Sequence, residues 1–469
     1  MNRSKHWVYS LCLMGAMVCS IFAWPRAALG DVTVWLDFSS DDSKTSPDVR
    51  FGGGAVDNGI VDWVERLDVL AATSGIAPFS ALERATLESN IMTQLTQIYE
   101  PFDISFTTIR LLQTTPPPPP REGERIYFGA EASDPNLLGM AFRDVFNSIQ
   151  SRLHVSSHFD IFDVNVYTEN FSVFVEPEEN RGTIINELAT ALAGTAAHEL
   201  GHAFGLLHHQ AYGDLRITPA NYANTMGIQN THVMATAITG LTEEERELHR
   251  TLSTWERLHL ETLGGLSPGR QAFQGIAVAN KILPETDFYT GLDVGGTTET
   301  SSDIALAGMP ISGLNAANVC SKLTSLDDVD IFSFTVGGPS RLLGQIRSVD
   351  GNIFFAGIDD PCDFSLRLLD TNGTSVLASA DDISYTANAW NDGEFRSFDP
   401  ALLSITLPTA GTYFLEVSAS AEFGPLPGGL YNLLFGVQSV PEPSYALLTL
   451  TVFGWVATSR RRTRATKSQ

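Results

Sequence analysis

The chain has 469 residues, 43% of them hydrophobic and 18% charged, with a formal charge of −25. That length accommodates two or three folded domains, and the composition excludes a disordered polymer. Residues 1–30 carry +3 and residues 441–469 carry +4, so the body between them holds −32, which excludes nucleic acid and anionic lipid as partners of that body and suits calcium and a secreted, soluble protein.

Residues 1–30 read as a secretory signal. Arg3 and Lys5 form the basic start, "WVYSLCLMGAMVCSIFAW" (7–24) the apolar stretch, and "ALG" (28–30) the small residues of a cleavage site before Asp31. The apolar stretch is slightly long for a signal, so a membrane anchor is the competing reading. Cleavage removes Cys12 and Cys19. Cys320 and Cys362 then remain in an oxidising setting, as a disulfide or as two buried thiols.

"VTVWLDF" (32–38) alternates as a strand does, and residues 80–99 place Leu87, Ile91, Leu95 and Ile98 on one helical face. "FDISFTTI" (102–109), "RIYFGA" (125–130) and "FSVFVEP" (171–177) are further predicted strands, and "PPPPP" (116–120) is an exposed polyproline loop. A helix from about Thr183 to Phe204 is nearly uncharged and apolar on most sides, as a buried helix is. After an irregular stretch at 210–240, Thr242 and Glu245 form a capping box for a helix over 242–263. Its apolar stripe is Leu248, Leu252, Trp255 and Leu258, and Gly264-Gly265 ends it.

The end of the buried helix carries the chemistry, in "HELGHAFGLLH" (198–208). His198 and His202 are four residues apart and share a helix face, so both imidazoles can reach one cation at ~2.1 Å. Glu199 points about a quarter-turn away and is placed to take a proton from an activated water rather than to ligate. A tetrahedral zinc needs a third protein ligand and an open position. Gly205 lets the helix stop and turn back, which brings His208 within reach. His209 is left over, facing solvent or lying behind the ligands. A different reading takes the third ligand from Glu243, Glu244 or Glu245.

The eleven-residue string matches H-E-x-x-H-x-x-G-x-x-H, and residues 31–265 resemble the metzincin zinc proteases. The resemblance implies an α+β catalytic domain, a mixed sheet with a long zinc-binding helix, with zinc on His198, His202 and His208 and Glu199 as the base. It also implies a methionine turn under the metal. Met234 in "THVMATAITG" is favoured for it over Met226 in "ANTMGI". The tyrosine that some metzincins place two residues after this methionine is Thr236 here. "LGMAFRDVFN" (138–147) is a candidate for the substrate-side edge of the sheet. Residues 31–265 contain no cysteine, so a cysteine-switch latency mechanism is not expected.

From about residue 285 the composition shifts to Gly, Ser, Thr and Asp with short punctuated strands: "VDIFSFTV" (329–336), "FSLRLLD" (364–370), "LLSITLP" (402–408), "TYFLEVS" (412–418) and "LYNLLFGV" (430–437). Such spacing predicts an all-β sandwich at 295–437, after a linker at 266–294. The region is similar to the bacterial pre-peptidase C-terminal domain. Asp327, Asp328, Asp330, Asp381 and Asp382 are candidate calcium ligands, although turn chemistry explains aspartates there equally well. Cys320 and Cys362 both fall in this domain. Residues 440–469 combine Pro-Glu-Pro, an apolar run from Tyr445 to Ala457 and the Arg460–Arg462 cluster. They resemble the PEP-CTERM sorting signal. That resemblance implies export across the inner membrane of a Gram-negative bacterium, transient anchoring by a transmembrane segment, an exosortase as processing partner, and residence at the cell surface or in the extracellular matrix.

These readings make the chain an exported zinc endopeptidase acting on protein or peptide substrates. The alternative is a matrix or adhesion protein with a vestigial protease fold, in which the sandwich does the work.

Overall fold

The computed structural model describes residues 32–39, 60–109, 124–130, 138–141, 164–206, 208–212, 231–235, 241–262, 280–282, 294–323, 325–348, 364–381, 400–420 and 430–440. The expected secretory signal, the polyproline loop and the C-terminal sorting segment lie outside them. Among the described residues no helix is long and apolar enough to cross a membrane.

The N-terminal region is α+β. Strand β1 (Val32–Asp37) pairs in parallel with β2 (Ile104–Thr107) and β3 (Glu124–Tyr127); β3 pairs in parallel with β5 (Val164–Val166), and β4 (Gly139–Met140) closes the sheet antiparallel to β5. The order is β2-β1-β3-β5-β4, so the one antiparallel strand lies at an edge. Three helices cover the sheet: α1 (Asp62–Thr73), α2 (Ala81–Ile98) and α3 (Arg181–Ala203). Capping fixes their starts where the sequence provides it. Ser80 and Glu83 form a reciprocal capping box on α2, and Asn180 accepts from the Thr183 N–H at 3.0 Å at the head of α3. The predicted stripe Leu87, Ile91, Leu95 and Ile98 is buried. Each such side chain contributes on the order of 1.5–3 kcal/mol when removed from water. It meets Leu188, Leu192, Ala196 and Leu200 of α3 and Val34, Leu36, Ile126 and Val164 of the sheet in one core. Polar pairs flank that helix contact: Asn90 Nδ2 donates to Asn186 Oδ1 at 3.1 Å and Gln94 Nε2 to Thr190 Oγ1 at 2.9 Å.

Two predicted elements change and one helix is new. "FSVFVEP" is not a strand; Thr168–Phe174 is a 3₁₀ segment, and the strand is Val164–Val166 just before it. The buried pair Phe171 and Phe174 is spaced by three, as 3₁₀ geometry requires, while Val173 is exposed. Helix α1 carried no expectation, because its N-cap Val61 offers no side-chain capping bond. The single helix expected at 242–263 is two. The Thr242/Glu245 box caps only the short α4 (Glu243–Arg246), and α5 (Thr254–Thr262) starts afresh. Between them the backbone bonds outward, with Thr251 N–H donating to Thr231 O and accepting through its carbonyl from Val233 N–H, both at 2.9 Å. Those tertiary bonds use the groups a continuous helix would need.

The C-terminal region is a β-sandwich. One sheet runs β13 (Val376–Ala380), β12 (Phe364–Leu369), β15 (Gly411–Ala419), β10 (Val329–Val336), β7 (Ser302–Asp303). The other runs β14 (Ala401–Leu407), β11 (Ser340–Ser348), β16 (Leu430–Ser439), β9 (Asn315–Lys322), β6 (Asn280–Ile282), with β8 (Ala307–Gly308) also on β9. The five predicted strands are all present. Their inward residues, among them Phe332, Phe334, Leu366, Leu415, Val417, Leu433 and Phe435, form a second core. Strand β6 falls inside the expected linker at 266–294 and belongs to the sandwich.

Helix α5 joins the two regions. Trp255 and Leu258 are buried with Met309, Leu314, Leu343 and Leu434 of the sandwich. Glu261 accepts from the Ile311 and Ser312 N–H groups at 3.0 and 2.9 Å.

Candidate metal centre

Helix α3 delivers His198 and His202 one turn apart and then stops in a Schellman turn. Gly205 has φ +89°, its N–H donates to His202 O at 2.8 Å, and Leu206 N–H donates to Gly201 O at 2.9 Å. The chain doubles back and His208 opens a short 3₁₀ segment, His208–Tyr212. His208 Nε2 then lies 3.2 Å from His198 Nε2 and 3.0 Å from His202 Nε2. Among the described residues these three form the only group of three or more His, Cys, Asp or Glu with all ligand atoms within 4.8 Å of one another.

The other ring nitrogens decide the tautomers. His198 Nδ1 lies 2.9 Å from Val233 O, and His202 Nδ1 lies 2.9 Å from Leu206 O. A carbonyl can only accept, so each Nδ1 carries the proton and each Nε2 of the neutral ring presents a lone pair. Burial, with the His202 and His208 rings alongside, holds His198 well below the usual histidine range and so keeps it neutral. Lone-pair nitrogens converging at this spacing fit a cation at their centre. Tetrahedral Zn–N bonds of ~2.1 Å put neighbouring nitrogens roughly 3.4 Å apart, close to what the side chains provide. An imidazole triad in which backbone carbonyls orient His198 and His202 suits zinc.

Glu199 lies beside the triad and does not join it. It is 8% exposed, and burial pushes its carboxyl up to about 8 against the opposing Ala141 N–H bond and the Arg246 charge. The edge strand β4 crosses directly over it. A Cβ on Gly139 would lie 2.7 Å from Glu199 Cγ, 2.8 Å from Thr195 Cγ2 and 2.9 Å from Glu199 Oε1. Only glycine lets the strand approach the carboxylate so closely.

Met234 is fully buried beneath the helix end, where a Cβ on Gly201 would lie 2.6 Å from its sulfur. Its segment is held by residues 250–256: Arg250 Nη1 donates to His232 O at 2.9 Å, and Glu256 Oε1 accepts from Met234 N–H at 2.7 Å. Burial pushes the Glu256 carboxyl up to about 7, against the pull of its backbone bonds and of Arg250.

The structure therefore brings together His198, His202 and His208, with Glu199 and Met234 beside them. Glu245 is occupied by its capping box and Glu244 is exposed, so neither approaches the triad as a third ligand. Met226, Thr236, Asp382 and Cys362 lie outside the described residues, so the Cys320–Cys362 pairing does too. Among the described residues, Asp327, Asp328, Asp330 and Asp381 do not form a metal-binding group. Asp330 is fully buried and accepts instead from the Ser321 and Tyr431 hydroxyls inside the sandwich. The stretch 138–147 was expected at the sheet edge, and Gly139–Met140 does form the edge strand, but sequence reasoning missed the contacts of Gly139 and Ala141 with Glu199, the role of Glu256, and the carbonyls of Val233 and Leu206. Only Glu256 left a trace, as the fourth residue of the capping box "STWE" (253–256).

Residues 328–419 match the family described as the bacterial pre-peptidase C-terminal domain. The C-terminal sandwich is such a domain. Among solved structures, the pre-peptidase C-terminal domain of a Bacillus anthracis collagenase is 14% identical, covering 29% of this chain and 94% of that one, with a TM-score of 0.19. The periplasmic g-type lysozyme inhibitor PliG of Aeromonas hydrophila is 13% identical over 29% of this chain and 96% of its own, with a TM-score of 0.18. The Salmonella Typhimurium PliG is 14% identical over 29% and 99%, with a TM-score of 0.19. No curated protein matches the chain. Pre-peptidase C-terminal domains occur in secreted bacterial proteases, which is compatible with a peptidase in the N-terminal region.

Proposed function

We propose that this protein is an exported, zinc-dependent endopeptidase of metzincin type. The observation that carries the reading is the convergence of three Nε2 atoms, with both helix histidines oriented by backbone carbonyls, beside a buried carboxylate that does not ligate. Zinc held by His198, His202 and His208 would supply a Lewis acid that polarises the scissile carbonyl and lowers the pKa of water toward ~7. Glu199 takes the proton from the attacking water and returns it to the departing amine. The antiparallel edge strand β4 lies over Glu199 and offers main-chain groups to an extended peptide, which would add to the sheet edge beside the base.

The test compares cleavage of an unstructured protein by the full chain and by Glu199→Gln, each loaded with zinc. Wild type should cleave, and the variant should bind zinc one per chain while losing at least about 10²-fold in kcat. Equal cleavage by both would remove Glu199 from the mechanism. A wild-type chain that binds no zinc would end the peptidase reading.

A further inference from the structure

Helix α5 begins with a capping box of its own: Ser253 Oγ accepts from the Glu256 N–H at 3.0 Å, and Glu256 Oε2 accepts from the Ser253 N–H at 2.5 Å. A cap needs only that one carboxylate oxygen. The other, Oε1, leaves the helix and accepts from Met234 N–H at 2.7 Å. That N–H belongs to the same peptide group as the Val233 carbonyl, which accepts from His198 Nδ1–H at 2.9 Å. Glu256 carboxylate, peptide 233–234 and the His198 imidazole therefore form one chain of hydrogen bonds ending at the nitrogen that faces the metal position.

We infer that Glu256 is a positioning residue for the metal centre, acting on His198 through the Val233–Met234 peptide. The inference rests on the zinc reading of the triad. A carboxylate bonded to a peptide N–H polarises that peptide and makes its carbonyl a stronger acceptor. The stronger acceptor draws the Nδ1 proton and makes Nε2 a better donor to a cation, the role a carboxylate often plays by direct contact with a ligand histidine. Burial strengthens each link, since Glu256 and Met234 are fully buried. The neighbouring backbone holds the peptide in place: Val233 N–H donates to Thr251 O and Arg250 Nη1 to His232 O, both at 2.9 Å. His202 does not share this peptide. Its Nδ1 bonds Leu206 O within the helix stop, so Glu256 reaches one helix histidine and not the other by this route.

The test uses the full chain and its Glu256→Gln variant. Glutamine keeps the volume, loses the charge, and cannot accept from both N–H groups, because one end of its amide is itself a donor. Zinc affinity is measured by competition with a chromogenic chelator, and the histidine ring nitrogens by NMR of the zinc-loaded protein. The expected result is a loss of about 10–100-fold in zinc affinity, with the His198 Nδ1 resonance moved and that of His202 in place. Affinity within about two-fold of wild type, or equal movement of both rings, overturns the inference, since a general loosening would not distinguish them. A second measurement needs no variant and so survives a misfolded one. In the wild-type chain labelled with ¹⁵N-methionine, zinc should move the Met234 amide proton downfield, because polarisation along the chain is reciprocal. A Met234 amide that ignores zinc also overturns the inference. Wild type that binds no zinc sinks the peptidase reading together with this one, whereas zinc bound equally by wild type and variant sinks this one alone.

Discussion

Replacing Gly139 by alanine tests the contact between the edge strand and Glu199, the proposed base. The added Cβ would lie 2.7 Å from Glu199 Cγ and 2.8 Å from Thr195 Cγ2. Carbon atoms rest at about 3.5–4.0 Å, so each contact is short by roughly 1 Å. Thr195 and Glu199 sit on α3, which is buried along nearly its whole length and cannot retreat. Either β4 lifts from the helix or the Glu199 side chain swings away. Both outcomes take the Ala141 N–H off the carboxylate and misplace the base. A displacement of about 1 Å at a reacting group costs on the order of 10²-fold, and overpacking costs about 1–3 kcal/mol of stability. The assay is kcat on an unstructured substrate, with zinc affinity measured alongside. Gly139→Ala should lose about 10²-fold in kcat and keep its zinc affinity, because no ligand histidine is touched. The double variant with Glu199→Gln decides the route: if the effect passes through Glu199, Gly139→Ala should cost almost nothing further in that background. Activity of Gly139→Ala within about three-fold of wild type, or an equal loss in both backgrounds, would refute the reasoning.

Two further results are expected. In the metal-free chain burial raises the carboxyls of Glu199 to about 8 and Glu256 to about 7, above the ~4.3 of an unfolded glutamate. Such groups contribute stability fully below the unfolded value and lose it as pH rises through the folded value, so Tm should fall between about pH 5 and about pH 8.5. Glu199→Gln should flatten that fall, and a metal-free Tm that climbs over this range would contradict the assignment. Trp255→Ala should remove about 3–5 kcal/mol from the join between the regions. Calorimetry should then resolve two unfolding transitions in place of one; an unchanged single transition would show that Trp255 does not couple them.

What was legible in the sequence follows from how far each signal reaches along the chain. The convergence of the three histidines was legible because it is local. Two histidines one turn apart, a glycine able to adopt φ +89° and a third histidine place the imidazoles within eleven residues, and only helical geometry is needed to join them. The sandwich strands were legible for the same reason, as in β15, where Tyr413, Leu415 and Val417 are buried and alternate with less buried neighbours. The orienting carbonyls of Val233 and Leu206 were not legible, since any residue supplies one. Gly139 falls in the stretch expected at the edge of the sheet, but its closeness to Glu199 shows only once α3 is laid beneath it. The helix expected at 242–263 failed at a point where local and tertiary demands compete. Thr242 and Glu245 do cap a helix, but Thr251 gives its backbone bonds to residues 231 and 233. Leu248, expected in the apolar stripe, is 49% exposed as a result.

That break is what lets α5 serve both regions. Because the helix restarts at Ser253, its first turn points Glu256 at the Met234 peptide. One helical turn places Trp255 and Leu258 on a different face from Glu256, against Met309, Leu314 and Leu434 of the sandwich. The fit there is close, since a Cβ on Gly436 would lie 3.0 Å from Leu258 Cδ2. Glu261, further along, fixes the Ile311 and Ser312 N–H groups. A continuous helix from residue 242 would have kept residues 250 and 251 from pinning the methionine segment. The sandwich therefore packs on the element that holds the segment beneath the three histidines. Cutting it away would expose Trp255 and Leu258 and remove the packing that fixes the register of α5. A domain of this family attached here adds to the rigidity of the site as well as to the length of the chain.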